Sequence, residues 1–175
     1  MRIVHIVGRR NHGKTSLIVE LVRELSSRGL RVATAKHCGH THELDTPGKD
    51  SYYHRTSGAT MASVITPAMC AFYKPRISND DVYAELTKWA ANAAILLVEG
   101  DINGPGRKVE VWREMAGGTP LALERNDISA VITDDPLSID VAVWPRRSID
   151  ILADRVLCQP LPSTMGDTLI ASHKN

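Results

Sequence analysis

The chain has 175 residues, 43% of them hydrophobic and 23% charged, the proportions of an ordinary globular domain rather than a disordered or collagen-like chain. At roughly 150 residues per domain this is one domain, long enough to bury about 70% of its unfolded surface. Lys and Arg total 21 against 20 for Asp and Glu, a formal net charge of +1, so no global field attracts nucleic acid or an anionic membrane and any polyanion must be held at a local site. In chain order, residues 2–7 are short, apolar and β-branched, the pattern of a buried strand. After a glycine-containing turn, Leu17, Leu21 and Leu25 with Ile18 and Val22 form one apolar stripe of a helix over Lys14–Arg28, closed by Gly29. Arg31–Lys36 reads as a second strand, parallel to the first in a βαβ unit.

Residues 37–50 are polar and turn-rich, and a short helix is expected from Lys49 to Ser57. Met61–Thr66 and Ala68–Lys74 read as a hairpin split by Pro67. Ser78, with Asp81 three residues on, caps a helix whose inner face is Val82, Leu86, Trp89, Ala90 and Ala93. Ile95–Val98 is nearly all apolar, as a central parallel strand is. Residues 101–107 are Gly/Pro-rich and read as mobile, and Val109–Trp112 alternates like an edge strand within a hairpin insertion over about 101–127. Ile128–Thr133 and Val141–Trp144 are further strands. Ser148 then caps a last helix with Ile149, Leu152, Ala153 and Val156 on its face. The expected fold is α/β, a P-loop-type three-layer sandwich with a mostly parallel sheet and helices on both faces. The domain spans 1–158, and 159–175 form a loose tail.

The most informative string is Gly8-Arg9-Arg10-Asn11-His12-Gly13-Lys14-Thr15, which fits G-x-x-x-x-G-K-[ST] throughout. Binding a phosphate takes several backbone N–H groups aimed inward from a tight loop. Glycines permit that geometry, and a helix N-terminus adds positive potential. Lys14 supplies a point charge to the β/γ phosphates and Thr15 a hydroxyl for Mg²⁺. Gly8, Asn11, His12, Gly13, Lys14, Thr15 and Ser16 are thus the candidate nucleotide-binding set. Such a site also needs an acidic group closing a neighbouring strand, and Glu99 stands there. Lys14 and Glu99 are the candidate catalytic pair, and Thr15, Glu99 and Asp50 the candidate Mg²⁺ set, although Asp50 reads equally well as a helix cap.

Lys36-His37-Cys38-Gly39-His40-Thr41-His42 offers either transition-metal ligands or, at the carboxyl edge of a strand, groups facing a bound anion. On the second reading Lys36 and His37 are candidate substrate contacts. Arg107, Lys108 and Arg113 read as a lid, an anion site or a charged surface hairpin. Asp134 and Asp135, closing a late strand, are candidate readers of guanine, with Asp134 the first choice. The three cysteines form no CxxC pair, which favours a reducing compartment, and Cys70 and Cys158 read as core residues. No apolar run approaches the ~20 residues of a membrane helix, so the expectation is a cytoplasmic protein with no membrane and no nucleic-acid partner.

Together these pieces resemble the molybdopterin-guanine dinucleotide biosynthesis protein B (MobB) family. The resemblance rests on Gly8–Thr15, Lys36-His37 with His40 and His42, Asp45-Thr46-Pro47-Gly48-Lys49-Asp50-Ser51-Tyr52, Gly58-Ala59, Leu97-Val98-Glu99-Gly100, Val109–Arg113 and Val131–Pro136. It implies a homodimeric adaptor that binds GTP with Mg²⁺, hydrolyses it slowly and assists a MobA-type guanylyltransferase joining GMP to molybdopterin. By position it implies phosphate and Mg²⁺ contacts from Gly13, Lys14 and Thr15, with Glu99 near the metal and Lys36, His37, Lys49 and Asp50 lining the shared site. After Val-Glu-Gly the chain departs from the family, with Asp101-Ile102-Asn103-Gly104-Pro105-Gly106 in place of an aromatic and a Lys. A P-loop small-molecule kinase, a metal-delivery GTPase and a non-hydrolysing nucleotide-binding module are the alternatives.

Overall fold

In the computed structural model, which describes residues 1–76 and 79–158, the first strand β1 (Arg2–Val7) runs into the glycine-rich turn and then into helix α1 (Lys14–Ser27). The chain continues through β2 (Val32–Lys36), α2 (Asp50–Thr56), β3 (Ala62–Ile65), β4 (Cys70–Tyr73), α3 (Asn79–Trp89), β5 (Ile95–Glu99), β6 (Arg107–Val111), β7 (Ile128–Ile132), β8 (Ala142–Trp144) and α4 (Ile149–Leu157). Six strands form one sheet in the order β2-β5-β1-β6-β7-β8, every pair parallel. The antiparallel hairpin β3–β4 forms a separate two-stranded sheet, as expected. The chain leaves β1 toward one side and places β6 on the other, so β1 is the topological switch point, where ligands of open α/β sheets bind.

Period-two alternation assigns the faces. Ile95 and Leu97 on β5, with Val4 and Ile6 on β1, meet Leu17, Leu21 and Leu25 of α1 and Leu152, Ala153 and Val156 of α4. Leu96 and Val98, pointing the other way, meet Tyr83 and Leu86 of α3. Helices therefore cover both faces. No described helix is long and apolar enough to cross a membrane.

Three sequence expectations need correction. Val109–Trp112 is no edge strand and residues 101–127 form no hairpin, because β6 lies inside the sheet between β1 and β7. Its alternation arises because Val109 and Val111 enter the helical core while Lys108 and Glu110, also buried, meet polar groups from loops. Trp89 does not line the α3 core. It is 61% exposed at the helix end and packs near Phe72 of the hairpin, with ring centroids 5.7 Å apart. Cys70 and Cys158 are exposed rather than core residues. Ser148 occupies the start of α4, but its side chain makes no capping bond. Ser78, the side chain of Asp81 and the tail from residue 159 lie outside the described residues.

Candidate functional site

Gly8, directly after β1, adopts φ +139, and a Cβ there would overlap the Val111 carbonyl oxygen of β6. Asn11 and Gly13 turn the chain with φ 68 and 93, left-handed conformations that Asn and Gly tolerate best. Gly13 is the first cap residue of α1. No side chain caps that end, and the first turn carries no acidic residue. The first intrahelical bond runs from the Leu17 N–H to the Gly13 carbonyl at 3.0 Å, so the amides of Lys14, Thr15 and Ser16, residues that line the cleft, have no helical acceptor. Arg10, Asn11, Gly13, Lys14, Thr15, Ser16, Glu99 and Arg113 enclose this cleft of about 440 Å³.

The Lys14 ammonium donates to the carbonyls of Gly8 (2.9 Å) and Arg9 (2.7 Å), arching back over the loop. Burial holds it below the ordinary lysine value, with Glu99 opposing this shift and Lys36 adding to it. The Thr15 hydroxyl donates to Glu99 Oε1 at 2.9 Å, and Lys36 Nζ lies 3.6 Å from the same oxygen. The parallel pairing of β1, β5 and β2 makes this cluster possible, because it brings all three carboxyl ends to one edge. The Thr15 hydroxyl and the Glu99 carboxylate are the hard oxygen donors that Mg²⁺ takes. The uncapped helix start beside Lys14 fits a phosphate chain.

Other expected residues lie elsewhere. Lys49 and Asp50 do not line this cleft. They line a separate cavity of about 740 Å³ with Asp45, Ser51, Cys70 and Tyr73, because α2 packs on the β3–β4 hairpin rather than on the sheet edge. The turn before α2 is set by Asp45, whose buried Oδ1 accepts the Thr46 N–H and the Ser51 hydroxyl. His37 continues the strand through its N–H to the Glu99 carbonyl (2.9 Å), and its ring lies 3.4 Å from the Arg76 guanidinium. The His40 and His42 rings are 5.3 Å apart, but among the described residues no three His, Cys, Asp or Glu side chains converge as a metal site. Asp134 follows β7 at the same carboxyl edge as the loop and accepts the Arg147 N–H at 3.3 Å. Asp135 is engaged by the Glu114 N–H at 2.8 Å.

Arg107 and Lys108 stand at the opposite end of β6 and form no lid. Arg107 donates to Ser129 and to the Arg155 and Cys158 carbonyls and lies over the Trp144 ring, while Lys108 pairs with Asp127 at 3.4 Å. Of the three basic residues only Arg113 reaches the cleft. Arg9 turns away from the cleft to the Thr119 carbonyl and Glu124. The His12 side chain is fully buried beneath the segment after β6. Two further features were not read from the sequence. His5, buried in β1, has both ring nitrogens within hydrogen-bonding distance of carbonyls, Gly100 at 3.1 Å and Pro105 at 2.7 Å. The Tyr83 hydroxyl donates to buried Asp101 at 2.6 Å. Together they hold the turn that follows Glu99. Their sequence signals were a histidine inside an apolar strand and an Asp directly after Glu-Gly.

The family model described as molybdopterin guanine dinucleotide synthesis protein B matches residues 3–134. The chain belongs to the MobB family. A molybdopterin-guanine dinucleotide biosynthesis adapter protein of Escherichia coli (strain K12) is 32% identical over 150 residues, covering 83% of this chain and 85% of that one. One from Haemophilus influenzae is 29% identical over 156 residues, covering 87% and 85%. Among solved structures, the Bacillus subtilis MobB superposes with a TM-score of 0.66 at 24% identity, covering 89% of this chain and 98% of that one. A MobB homologue from Bacillus stearothermophilus gives 0.64 with the same coverage and identity. These MobB structures share the mostly parallel sheet of the P-loop type, so both the resemblance and the fold class read from the sequence hold.

Proposed function

We propose that this MobB-family chain is an adapter in molybdopterin-guanine dinucleotide synthesis that binds GTP with Mg²⁺ at Gly8–Thr15, hydrolyses it weakly and assists a MobA-type guanylyltransferase. The observation that carries the reading is the uncapped start of α1 with Lys14 over the loop and the Thr15 hydroxyl on Glu99. These groups match the needs of a Mg²⁺-bound triphosphate in charge and donor type. Backbone amides and Lys14 would hold phosphate oxygens, Thr15 and Glu99 would hold the metal or its water, and Asp134 would meet the guanine edge. Lys36 and His37, beside Glu99, would face the second substrate.

The adapter role is supported by the family and by the names its relatives carry. A homodimer is supported by the β3–β4 hairpin, which stands outside the main sheet with Ile65 79% and Met69 75% exposed. The cytoplasm is the compartment that fits such a role. Isothermal titration of the full chain with GTP and with ATP, each with Mg²⁺, tests the reading. GTP should bind the more tightly, and Lys14→Ala should weaken it by at least about 100-fold, roughly 2.7 kcal/mol, without loss of the folded far-UV spectrum. ATP binding as tight as GTP would overturn the guanine assignment, and unchanged affinity in Lys14→Ala would overturn the phosphate site.

A further inference from the structure

We propose that Arg113 is a second phosphate-binding cation of the cleft, delivered from the segment after β6, and that His12 is the positioning residue that holds it there. The inference deepens the proposed function and rests on its triphosphate site. Arg113 lies 100 residues from Gly13 in the chain, yet a Cβ on Gly13 would meet Arg113 Nη2 at 2.8 Å and Cζ at 3.0 Å. The guanidinium therefore occupies the space that any side chain at position 13 would fill. The glycine itself is required by its φ of +93, since a guanidinium at the end of a flexible side chain could shift from a Cβ. Gly13 precedes the three amides that open α1, so the guanidinium sits beside the phosphate cradle.

The electrostatics point the same way. Arg113 forms no ion pair among the described residues. Arg10, Lys14 and Arg113 enclose the cleft, with Glu99 its one carboxylate among the described residues, an arrangement that crowds positive charge where a polyanion would relieve it. Arginine offers a planar fork of donors that bridges two phosphate oxygens, which the point charge of Lys14 cannot do.

His12 explains how the guanidinium stays in place. The ring is 1% exposed, and its Nδ1 accepts the Arg113 backbone N–H at 2.9 Å. An acceptor at Nδ1 requires the neutral imidazole protonated at Nε2. Burial pushes this imidazole down and the charges of Lys14, Arg9 and Arg113 add to the shift, so the neutral form prevails. The Gly117 backbone opposes the shift at a range beyond hydrogen bonding, and Nε2 has no partner. A side chain from the loop string thus fixes the backbone of the residue that carries the guanidinium.

The test uses the full chain and two probes, Mg²⁺-GTP and inorganic tripolyphosphate, titrated into wild type, Arg113→Ala, Arg113→Lys, His12→Leu and His12→Asn. Tripolyphosphate carries no base, so an error in the guanine assignment leaves its result intact. Arg113→Ala should weaken both probes at least 10-fold, and Arg113→Lys should recover only part of this because it restores charge without the fork. His12→Leu should weaken both probes several-fold, and His12→Asn, whose Oδ1 can accept the same N–H, should restore them. The double variant Arg113→Ala/His12→Leu should be no worse than Arg113→Ala alone, since a purely structural His12 would add its own loss. Wild-type binding with unchanged affinity in both Arg113 variants overturns the proposal while leaving the phosphate site standing. Absence of wild-type binding to either probe overturns both. Additive losses, or failure of Asn to rescue, overturn the role of His12.

Discussion

Glu110 lies at zero exposure inside the sheet, where a carboxylate is costly unless it is satisfied. Its two oxygens accept the N–H groups of Leu121 (2.8 Å) and Ala122 (2.9 Å), at the start of a single 3₁₀ turn. In Glu110→Ala both amides lose their acceptor, at about 1–3 kcal/mol each, and one buried methylene is lost, about 0.8 kcal/mol. Against this, the variant no longer buries a carboxylate. Burial holds the Glu110 carboxyl above its ordinary value, the two amides opposing it, so removing the charge returns part of that loss. The expected net loss is between about 1 and 6 kcal/mol, a fall in melting temperature of at least roughly 3 °C for a chain this long. The pH dependence has a definite sign. With the folded pKa raised, the native state binds this proton more tightly than the unfolded chain does. The contribution of Glu110 is therefore fully present below the unfolded value of about 4.5 and declines as pH rises through the folded one. Urea unfolding of wild type and Glu110→Ala at pH 4.5 and pH 7.5 should show the larger difference at the lower pH. A difference below about 0.5 kcal/mol at both, or a larger one at pH 7.5, would refute the reasoning.

The acid limb of stability should report Asp127. Its hydrogen bond with Arg125, and then that with Lys108, hold its carboxyl down at about 2 from an ordinary 3.8. The stabilisation is therefore present above pH 4 and is lost as pH falls from about 4 to 2. At full value this is about 2.4 kcal/mol, and screening of a side chain 38% exposed brings it to roughly 1 kcal/mol. Asp127→Asn should flatten the acid limb of the urea midpoint between pH 4 and 2, and superimposable curves would count against the pairing. Gly8→Ala should be far more severe, since the new Cβ overlaps a backbone carbonyl of β6 at a φ that side chains rarely adopt. A loss of more than about 3 kcal/mol in urea unfolding is expected, and near-wild-type stability would show that the loop can shift away from β6.

Legibility followed the range over which each feature is determined. β1, the loop and α1 were readable because the turn demands glycine at fixed places and the helix repeats within its own length. Strand β5 is readable from the unbroken apolar run Ile95–Val98, buried on both faces, and β7 from the buried Ala130-Val131-Ile132 that follows the exposed Ser129. The misreading of β6 has a non-local cause. Lys108 and Glu110 looked like water-facing residues, but their partners are Asp127 and the amides of Leu121 and Ala122, which no local pattern reveals. The same holds for the site. Lys14, Thr15 and Glu99 come together because each sits at the carboxyl end of a parallel strand or at the start of the helix after one, an ordering implied by the βαβ reading. Asp50, a candidate metal contact from its place in the chain, and Lys49, grouped with the site by resemblance, line the cavity beside the hairpin instead, at the far end of the polar connection from 37 to 49. Arg113 could be seen as a cation after a strand. Its place beside Gly13 depends on the register of β6 against β1, Val7 opposite Glu110, which is set by the whole sheet.

The segment from Trp112 to Glu124 forms a strap beside the glycine-rich loop. It is tied to the loop by Arg9 on the Thr119 carbonyl and by His12 on the Arg113 amide, to β6 by Glu110, and to the end of β7 by Asp135 on the Glu114 amide. Two of the four variable positions of the G-x-x-x-x-G-K-T string therefore hold this strap, Arg9 at the surface and His12 from inside, while Arg10 and Asn11 line the cleft. A loop braced in this way would need little backbone ordering on binding the proposed phosphate chain, so more of the contact energy would appear as affinity. The strap also joins the Lys14 end of the cleft to the strand end that bears Asp134. A nucleotide reaching from one to the other, as proposed, would span elements already fixed relative to each other.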